Sequence, residues 1–464
     1  MEPQVTIKLN DIQSKLNETY VKSVSCPKNV EEIREVLKDS LQNGSKICPA
    51  GTLHAMGGQQ FGDEVVSIQT NKLNRIWNLD EHSKTIWIEG GVTWPALVGW
   101  LKTNQSNSAI PLTIIQKQTG ADNLSVGGAL SANIHGRVLN KRPIIDDVVA
   151  FNIITPSGER LHCSRKENFN LFSLTIGGYG MFGIIDSIQL KLTEQTTLVR
   201  QVEETSINNV IEALETHADK GALYGDFQYV TDENSPYYLS RGILSVYSPS
   251  KEKESENIGL SIDQWKQLYF LAHTDKKEAY KQYATHYKST NGQTYKSDEH
   301  QFSPYIAEAS DLLNQKLRLD YYRSLMISEL YVPRRSFVSF MESAAKSLRK
   351  TNGNVIYGTV RLINSEKESF LNWAKEDYAC IIFNLLVDHT QDGIKIAKTQ
   401  FQGLIDAALN EGGSYYLTYH KWARKDQVES AYPQFIDFIN EKEFRDPSNL
   451  FTSNWYKHHV DLFS

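Results

Sequence analysis

Thr119 to Arg137 reads TGADNLSVGGALSANIHGR. Gly, Ala and Ser dominate it, and Leu124, Val126 and Leu130 are its only bulky anchors before Ile134. A run that is neither linker-like nor polar throughout predicts main chain pressed against a large flat object, with a close-packed loop as the alternative. Two other stretches share this character. ICPAGTLHAMGGQQF, Ile47 to Phe61, runs from a strand into a turn holding Gly51, Gly57 and Gly58. Clustered glycines let N–H groups approach a pyrophosphate together. TIGGYGMFGIIDSIQLKL, Thr175 to Leu192, sets another small-residue turn before an alternating strand. One buried dinucleotide touching all three is more economical than three unrelated turns. The Ile47 to Phe61 run fits neither GxGxxG nor GxxxxGK[ST], so it indicates neither a nicotinamide Rossmann site nor a P-loop NTPase.

Around these runs the chain reads as a globular α+β protein. Its 464 residues exceed what one core usually organises, which predicts two domains or one with a large insertion. A formal charge of -6 excludes a general nucleic-acid binder. Cys26, Cys48, Cys163 and Cys380 are scattered without CxxC spacing, so free thiols are expected and no metal site. No basic start precedes an apolar run, and no apolar stretch reaches membrane-spanning length. A soluble, cytoplasmic protein is the expectation.

The opening reads strand, helix, strand, with NVEEIREVLKDSLQNG capped by Asn29, Glu32 in the capping box, and Gly44 ending it. Strands EVVSI and KTIWIEG follow, then a helix from Thr93 with Thr93 as cap and Pro95 in its first turn. DDVVAFNIITPSGERLHCS predicts a hairpin turning at Pro156, Ser157 and Gly158. The first domain closes near residue 195. A charged stretch, SPSKEKESEN, opens a helical insertion over about 250–320, expected as a surface excursion. MISELYVP, NVIYGTVRLI and YACIIFNLLVDH read as strands of an antiparallel sheet backed by helices such as RSFVSFMESAAKSLRK. Residues 196–410 then form a substrate domain capping the first, and 411–464 return to it.

SCPKNVEEI, GTLHAMGGQ, IEGGVTW, LSVGGALSANIHG, ISELYVP and the ending YPQFIDFINEKEFRDPSNLFTSNWY together resemble the vanillyl-alcohol oxidase and p-cresol methylhydroxylase superfamily of FAD-binding oxidoreductases. Alditol and sugar-lactone oxidases and the decaprenylphosphoryl-ribose oxidases look most similar. The resemblance implies a two-subdomain FAD-binding domain, a substrate domain, and FAD as cofactor. Its contacts would come from Ala50, Gly51, Thr52, Leu53, His54, Ala55, Gly57 and Gln59 in the first run. The second would supply Thr119, Gly120, Asn123, Ser125, Gly127, Gly128, Ser131, Asn133, His135 and Gly136, and the third Gly183, Ile184 and Ile185. His54 stands where relatives often bond covalently to the flavin, with Ala55 in place of a frequent serine, so a covalent and a plain hydrogen-bonding histidine both stay open.

For chemistry, the resemblance implies Lys421 near the reactive ring, with His420 and Tyr419 as neighbours, its ammonium stabilising negative charge. Arg361 matches an arginine that alditol-type relatives use beside a glutamate two residues earlier, a position held here by Thr359. Glu329 could supply the carboxylate from the adjoining strand, or be the structural partner of Arg361. His135 is implied at the ring face, positioning more than abstracting a proton. The reaction implied is hydride loss from a CH–OH group of a sugar, alditol, sugar acid or lactone, with oxygen or another acceptor reoxidising the flavin. A dehydrogenase serving a quinone or protein partner is one alternative. The Thr359 departure motivates another, a flavin-loaded binding protein without turnover.

Overall fold

A computed structural model describes residues 6–252, 258–302, 306 and 309–464. Helix Val30–Asn43 forms as its punctuation predicts: the Asn29 side chain accepts from the Glu32 amide at 2.9 Å, Gly44 sits at φ +71°, and Ile33 and Leu37 are buried. It crosses from strand Ser23–Ser25 to strand Ile47–Ala50, and both pair in parallel with Val66–Gln69. Parallel neighbours need such a crossover, so the capped helix fixes this small sheet.

A second, antiparallel sheet runs in the order Arg160–Ser164, Val148–Ile154, Ile184–Glu194, Thr85–Glu89, Ile76–Asp80, with Leu112–Ile114 on the end of its longest strand. The expected hairpin joins its first two strands, where the Gly158 amide donates to the Thr155 carbonyl at 2.9 Å. Helix Trp94–Asn104 also forms, but the Thr93 side chain makes no capping hydrogen bond. Pro95 in its first turn removes one of the N–H groups that a cap would have to satisfy.

After Glu194 the chain builds a different sheet. Among the described residues it has eight strands, in the order Thr294–Lys296, Thr197–Ser206, Arg241–Ser250, Tyr224–Tyr229, Val355–Ile363, Tyr378–Asp388, Arg323–Pro333, Ser414–Tyr415. Helices Ile207–Asp219, Phe337–Lys350 and Gln391–Asn410 pack against it. The α+β class read from the sequence is the architecture found.

The insertion comprises helices Ile262–Thr274, Lys276–Ser289 and Ala309–Leu317. Residues 253–257 of its charged opening lie outside the described residues. It is not the surface excursion expected, because its first two helices wall a cavity of about 610 Å³ that also touches all three sheets. No helix of the described residues is long and apolar enough to cross a membrane. All four cysteines are free thiols.

The C-terminal segment returns to the first sheet: the Ile47 amide donates to the Leu450 carbonyl at 2.7 Å, and the Thr452 amide to the Ile47 carbonyl at 2.9 Å. On the way, Tyr416, Thr418 and Tyr419 line the cavity, and the chain leaves it there. His420 and Lys421 therefore do not line it, which corrects their expected catalytic placement. His420 is buried with its ring 4.7 Å from Phe401 and 5.9 Å from Trp422, and burial pushes its imidazole down to about 3. The Lys421 ammonium rests against Gly58, and burial lowers its pKa.

Two predictions follow from this packing. A Cβ on Gly127 would lie 2.6 Å from the Gly90 carbonyl oxygen, which is backbone that cannot swing aside. Gly127→Ala is expected to destabilise by about 1–3 kcal/mol in urea unfolding. The second concerns acid. His420 titrates near 3 when folded but near its ordinary value of 6.5 when unfolded, so below 6.5 the unfolded chain binds the extra proton. Stability is then lost as pH falls from 6.5 toward 3, by about 2 kcal/mol at pH 5. His420→Phe should narrow the gap between thermal midpoints at pH 7.5 and pH 5; an unchanged gap would remove this residue from the acid response.

Candidate active site

The three small-residue runs meet. The Gly127 amide donates to the Gly90 carbonyl at 2.8 Å and the Val126 amide to the Val92 carbonyl at 2.8 Å, docking helix Val126–Ser131 on the turn after strand Thr85–Glu89. Gly90 in turn donates to the Asp186 carbonyl at 3.0 Å, and Gly177 to the Leu130 carbonyl at 3.0 Å. A Cβ on Gly51 would stand 2.3 Å from Ser125 Oγ. Much of the smallness thus serves main chain against main chain, and the cavity is the slot left between the runs.

Its lining includes Ala50, Gly51, Thr52, Leu53, His54, Ala55 and Gln59 from the first run. Thr119, Gly120, Ser125, Gly127, Gly128, Ser131 and His135 come from the second, and Gly183, Ile184 and Ile185 from the third. Four expected contacts stand elsewhere. Gly57 sits against the Gln59 side chain and the Thr418 carbonyl, and Asn123 faces solvent. Asn133 is buried, donating to Ser369 at 3.2 Å and accepting from the Ile145 amide at 3.2 Å. Gly136 packs on Gln116 and Lys117. Gly57, Asn133 and Gly136 are held by protein groups behind the loop, whereas Asn123 is not.

The residues present fit FAD. Gln59 donates to the Thr418 carbonyl at 2.8 Å and Gln60 to the Ala55 carbonyl at 2.7 Å, yet the Oε1 atom of each is buried without a partner in the cavity wall. Buried acceptors of this kind call for a donor from a bound molecule, and a flavin and its ribityl chain carry such donors. Gly120, at φ +95°, has open space where a side chain would stand. His54 Nδ1 lies 2.9 Å from Gln13 Nε2, and burial lowers the ring's pKa, favouring neutral imidazole.

Where the cavity meets the eight-stranded sheet, register builds a second cluster. Glu329 and Thr359 both pair with Ile382, and Tyr331 and Arg361 both pair with Cys380. Alternation puts all six on one face. Glu329 and Arg361 are therefore not on adjoining strands, as expected, but flank the strand Tyr378–Asp388. Nor are they a direct pair. Glu329 Oε1 lies 2.8 Å from His135 Nε2, whereas Arg361 reaches the Gly136 carbonyl and Thr119 Oγ1.

Glu329 is the hub. It accepts from the phenol of Tyr331, and its charge raises the pKa of the neighbouring Tyr419 phenol beyond what burial does. Burial works to raise its pKa, but His135, Tyr331 and Arg361 outweigh it and hold the carboxyl below its usual range. His135 Nδ1 faces the Gly136 carbonyl at 2.9 Å, so both ring nitrogens meet acceptors. Although the sequence indicated no metal site, His135, Glu329 and Cys380 bring their ligand atoms within 4.8 Å of one another, with His135 Nε2 in contact with both the Glu329 carboxylate and the Cys380 thiol. Thr359 Oγ1 and Arg361 Nε are buried without partners in the cavity wall.

Sequence reading missed much of the wall, Gln13, Gln60, Tyr179, Tyr416, Thr418 and the inner face of the insertion among it. Tyr416 and Thr418 gave no signal beyond proximity to Tyr419. The inner face of the insertion did, in the helical spacing of Trp265, Leu268, Tyr269 and Ala272.

The profile of a family described as "FAD binding domain" matches residues 21–164. L-gulonolactone oxidase of Scyliorhinus torazame is 24% identical over 216 residues, 46% of this chain and 47% of that protein. Cytokinin dehydrogenase 3 of Arabidopsis thaliana is 29% identical over 177 residues, 37% of this chain and 33% of the relative. The mitochondrial L-galactono-1,4-lactone dehydrogenase of the same plant is 21% identical over 259 residues, 54% and 40%. The chain spans under half the length of these curated relatives. With its glycine-walled slot and this domain match, the chain carries an FAD-binding domain at residues 21–164, and over about half its length it is similar to these oxidases and dehydrogenases.

Proposed function

We propose that the protein oxidises a CH–OH group of a sugar, alditol, sugar acid or lactone, with oxygen or another acceptor closing the cycle. The observation that carries this reading is one continuous cavity joining the small-residue slot to the Glu329 cluster. Bound in the slot, FAD supplies a hydride acceptor. The chain supplies the rest. Arg361 and the unpartnered Thr359 hydroxyl orient substrate oxygens at the cavity wall. A proton leaving the substrate hydroxyl passes to Glu329 in the cavity wall, whose carboxylate form the His135 contact and Arg361 favour. Trp373 shields the pair, its ring 5.4 Å from His135. Residues 1–195 with 411–464 hold the cofactor in this reading, and 196–410 the substrate. The names of the relatives include both oxidases and dehydrogenases, which supports keeping either electron acceptor.

The purified protein should be yellow, and anaerobic addition of sugars, alditols, aldonic acids and 1,4-lactones should bleach it with at least one compound. A yellow protein that none of them bleaches speaks for a binding protein without turnover. Glu329→Gln should retain the colour and slow bleaching about a hundredfold or more; an unaltered rate removes the carboxylate from the proton path. Acid precipitation should leave the yellow in the pellet, with tryptic mapping landing on His54 and His54→Ala releasing it. Yellow in the supernatant instead means that FAD is held without a bond.

A further inference from the structure

The part of the cavity under the insertion has a chemistry of its own. Helix Ile262–Thr274 turns Trp265 and Tyr269 into it at an i, i+4 spacing, and helix Lys276–Ser289 turns in Tyr280 and Tyr283. The sheet adds Ile356 and Ile382 to the same wall. Flat rings and branched aliphatics make this a site for an apolar face.

Among the described residues, Lys276, Lys15 and Arg137 there are each already paired. The Lys276 ammonium lies 2.7 Å from Glu233, the Lys15 ammonium 2.7 Å from Asp311, and Arg137 3.1 Å from Asp226. A charged ligand group would have to break one of these pairs. Several neutral donors are engaged too. Gln228 donates to Asp226 at 3.2 Å, Asn384 to the Tyr357 carbonyl at 3.3 Å, and Thr231 to the Ile356 carbonyl at 3.3 Å. The Tyr280 and Tyr283 hydroxyls are buried without partners. A second sugar ring, with a hydroxyl on most of its carbons, would leave polar groups unpaired here, each at a desolvation cost. A flat ring with one polar substituent would not.

We infer that the substrate carries, beyond its hydroxylated reacting end, an uncharged aromatic ring that seats between the aromatic face of the insertion and the sheet. The inference rests on the cavity being the substrate site of the proposed reaction, and narrows that substrate to an aryl-bearing alcohol or glycoside.

Calorimetric titration of the FAD-loaded protein with three probes of one diol head tests it: 1-phenyl-1,2-ethanediol, 1-cyclohexyl-1,2-ethanediol and 1,2-propanediol. The phenyl compound should bind about tenfold or more tighter than propanediol, as burying a ring of this size implies, and tighter than the cyclohexyl compound. Tyr283→Ala and Trp265→Ala should each erase most of that advantage while the bound flavin keeps its visible spectrum, and Tyr283→Phe should restore it. Equal affinity for phenyl and cyclohexyl overturns the aromatic ring in favour of any apolar group. No gain over propanediol, or a gain that survives in both alanine variants, overturns the site. The two readings fail separately. A yellow protein bleached by polyols but indifferent to the phenyl ring sinks only this inference, whereas a colourless chain that refuses FAD sinks the proposed function beneath it.

Discussion

The seating of Gly127 on Gly90 is the contact on which the rest of the molecule depends. The Gly127 amide meets the Gly90 carbonyl at 2.8 Å; a side chain on Gly127 would collide with that oxygen, and one on Gly90 with the Ile185 carbonyl oxygen. This contact fixes helix Val126–Ser131 against the second sheet, and the helix in turn holds the chain of Ser131 and Leu130 against Tyr179 and Gly177. A slot wide enough for a dinucleotide survives between the runs because they are locked to each other at a few points and kept small between them. Close packing elsewhere in the core leaves no such space.

The reactive end depends on a different constraint, strand register. One face of three neighbouring strands carries Glu329 with Tyr331, Ile382 with Cys380, and Thr359 with Arg361. A slip of one residue would turn the whole set away from the cavity. A buried carboxylate is costly alone, but here His135 and Tyr331 contact it directly and Arg361 lends a positive charge. Because His135 comes from the small-residue run and Glu329 from the large sheet, their 2.8 Å contact also ties the two halves of the protein together at the site.

The insertion completes the enclosure. Its helices carry charge outward and rings inward, and its ion pairs, Lys15 with Asp311 and Lys276 with Glu233, clasp it to the N-terminal segment and to the loop after strand Tyr224–Tyr229. These two ion pairs are partly exposed, whereas the sheet beneath the insertion is buried along most of its length.

By itself the sequence determined the local elements and the nature of the ligand. Asn29 and Gly44 bounded the first helix, Pro156 to Gly158 set the hairpin, and the small-residue runs announced close approach. Each of these signals is carried by residues adjacent in the chain, where propensity and sterics act directly. Tertiary structure alone decided which groups meet. Lys421 and His420 follow Tyr419 directly, yet only Tyr419 reaches the cavity, because the chain turns away after it. Glu329 found His135 rather than Arg361, because sheet order places a whole strand between the two. The insertion read as surface because its polar residues face solvent, and only packing could show that its rings face the cavity. Contacts between residues distant in sequence depend on register and on strand order, and one chain read alone encodes neither in any local pattern.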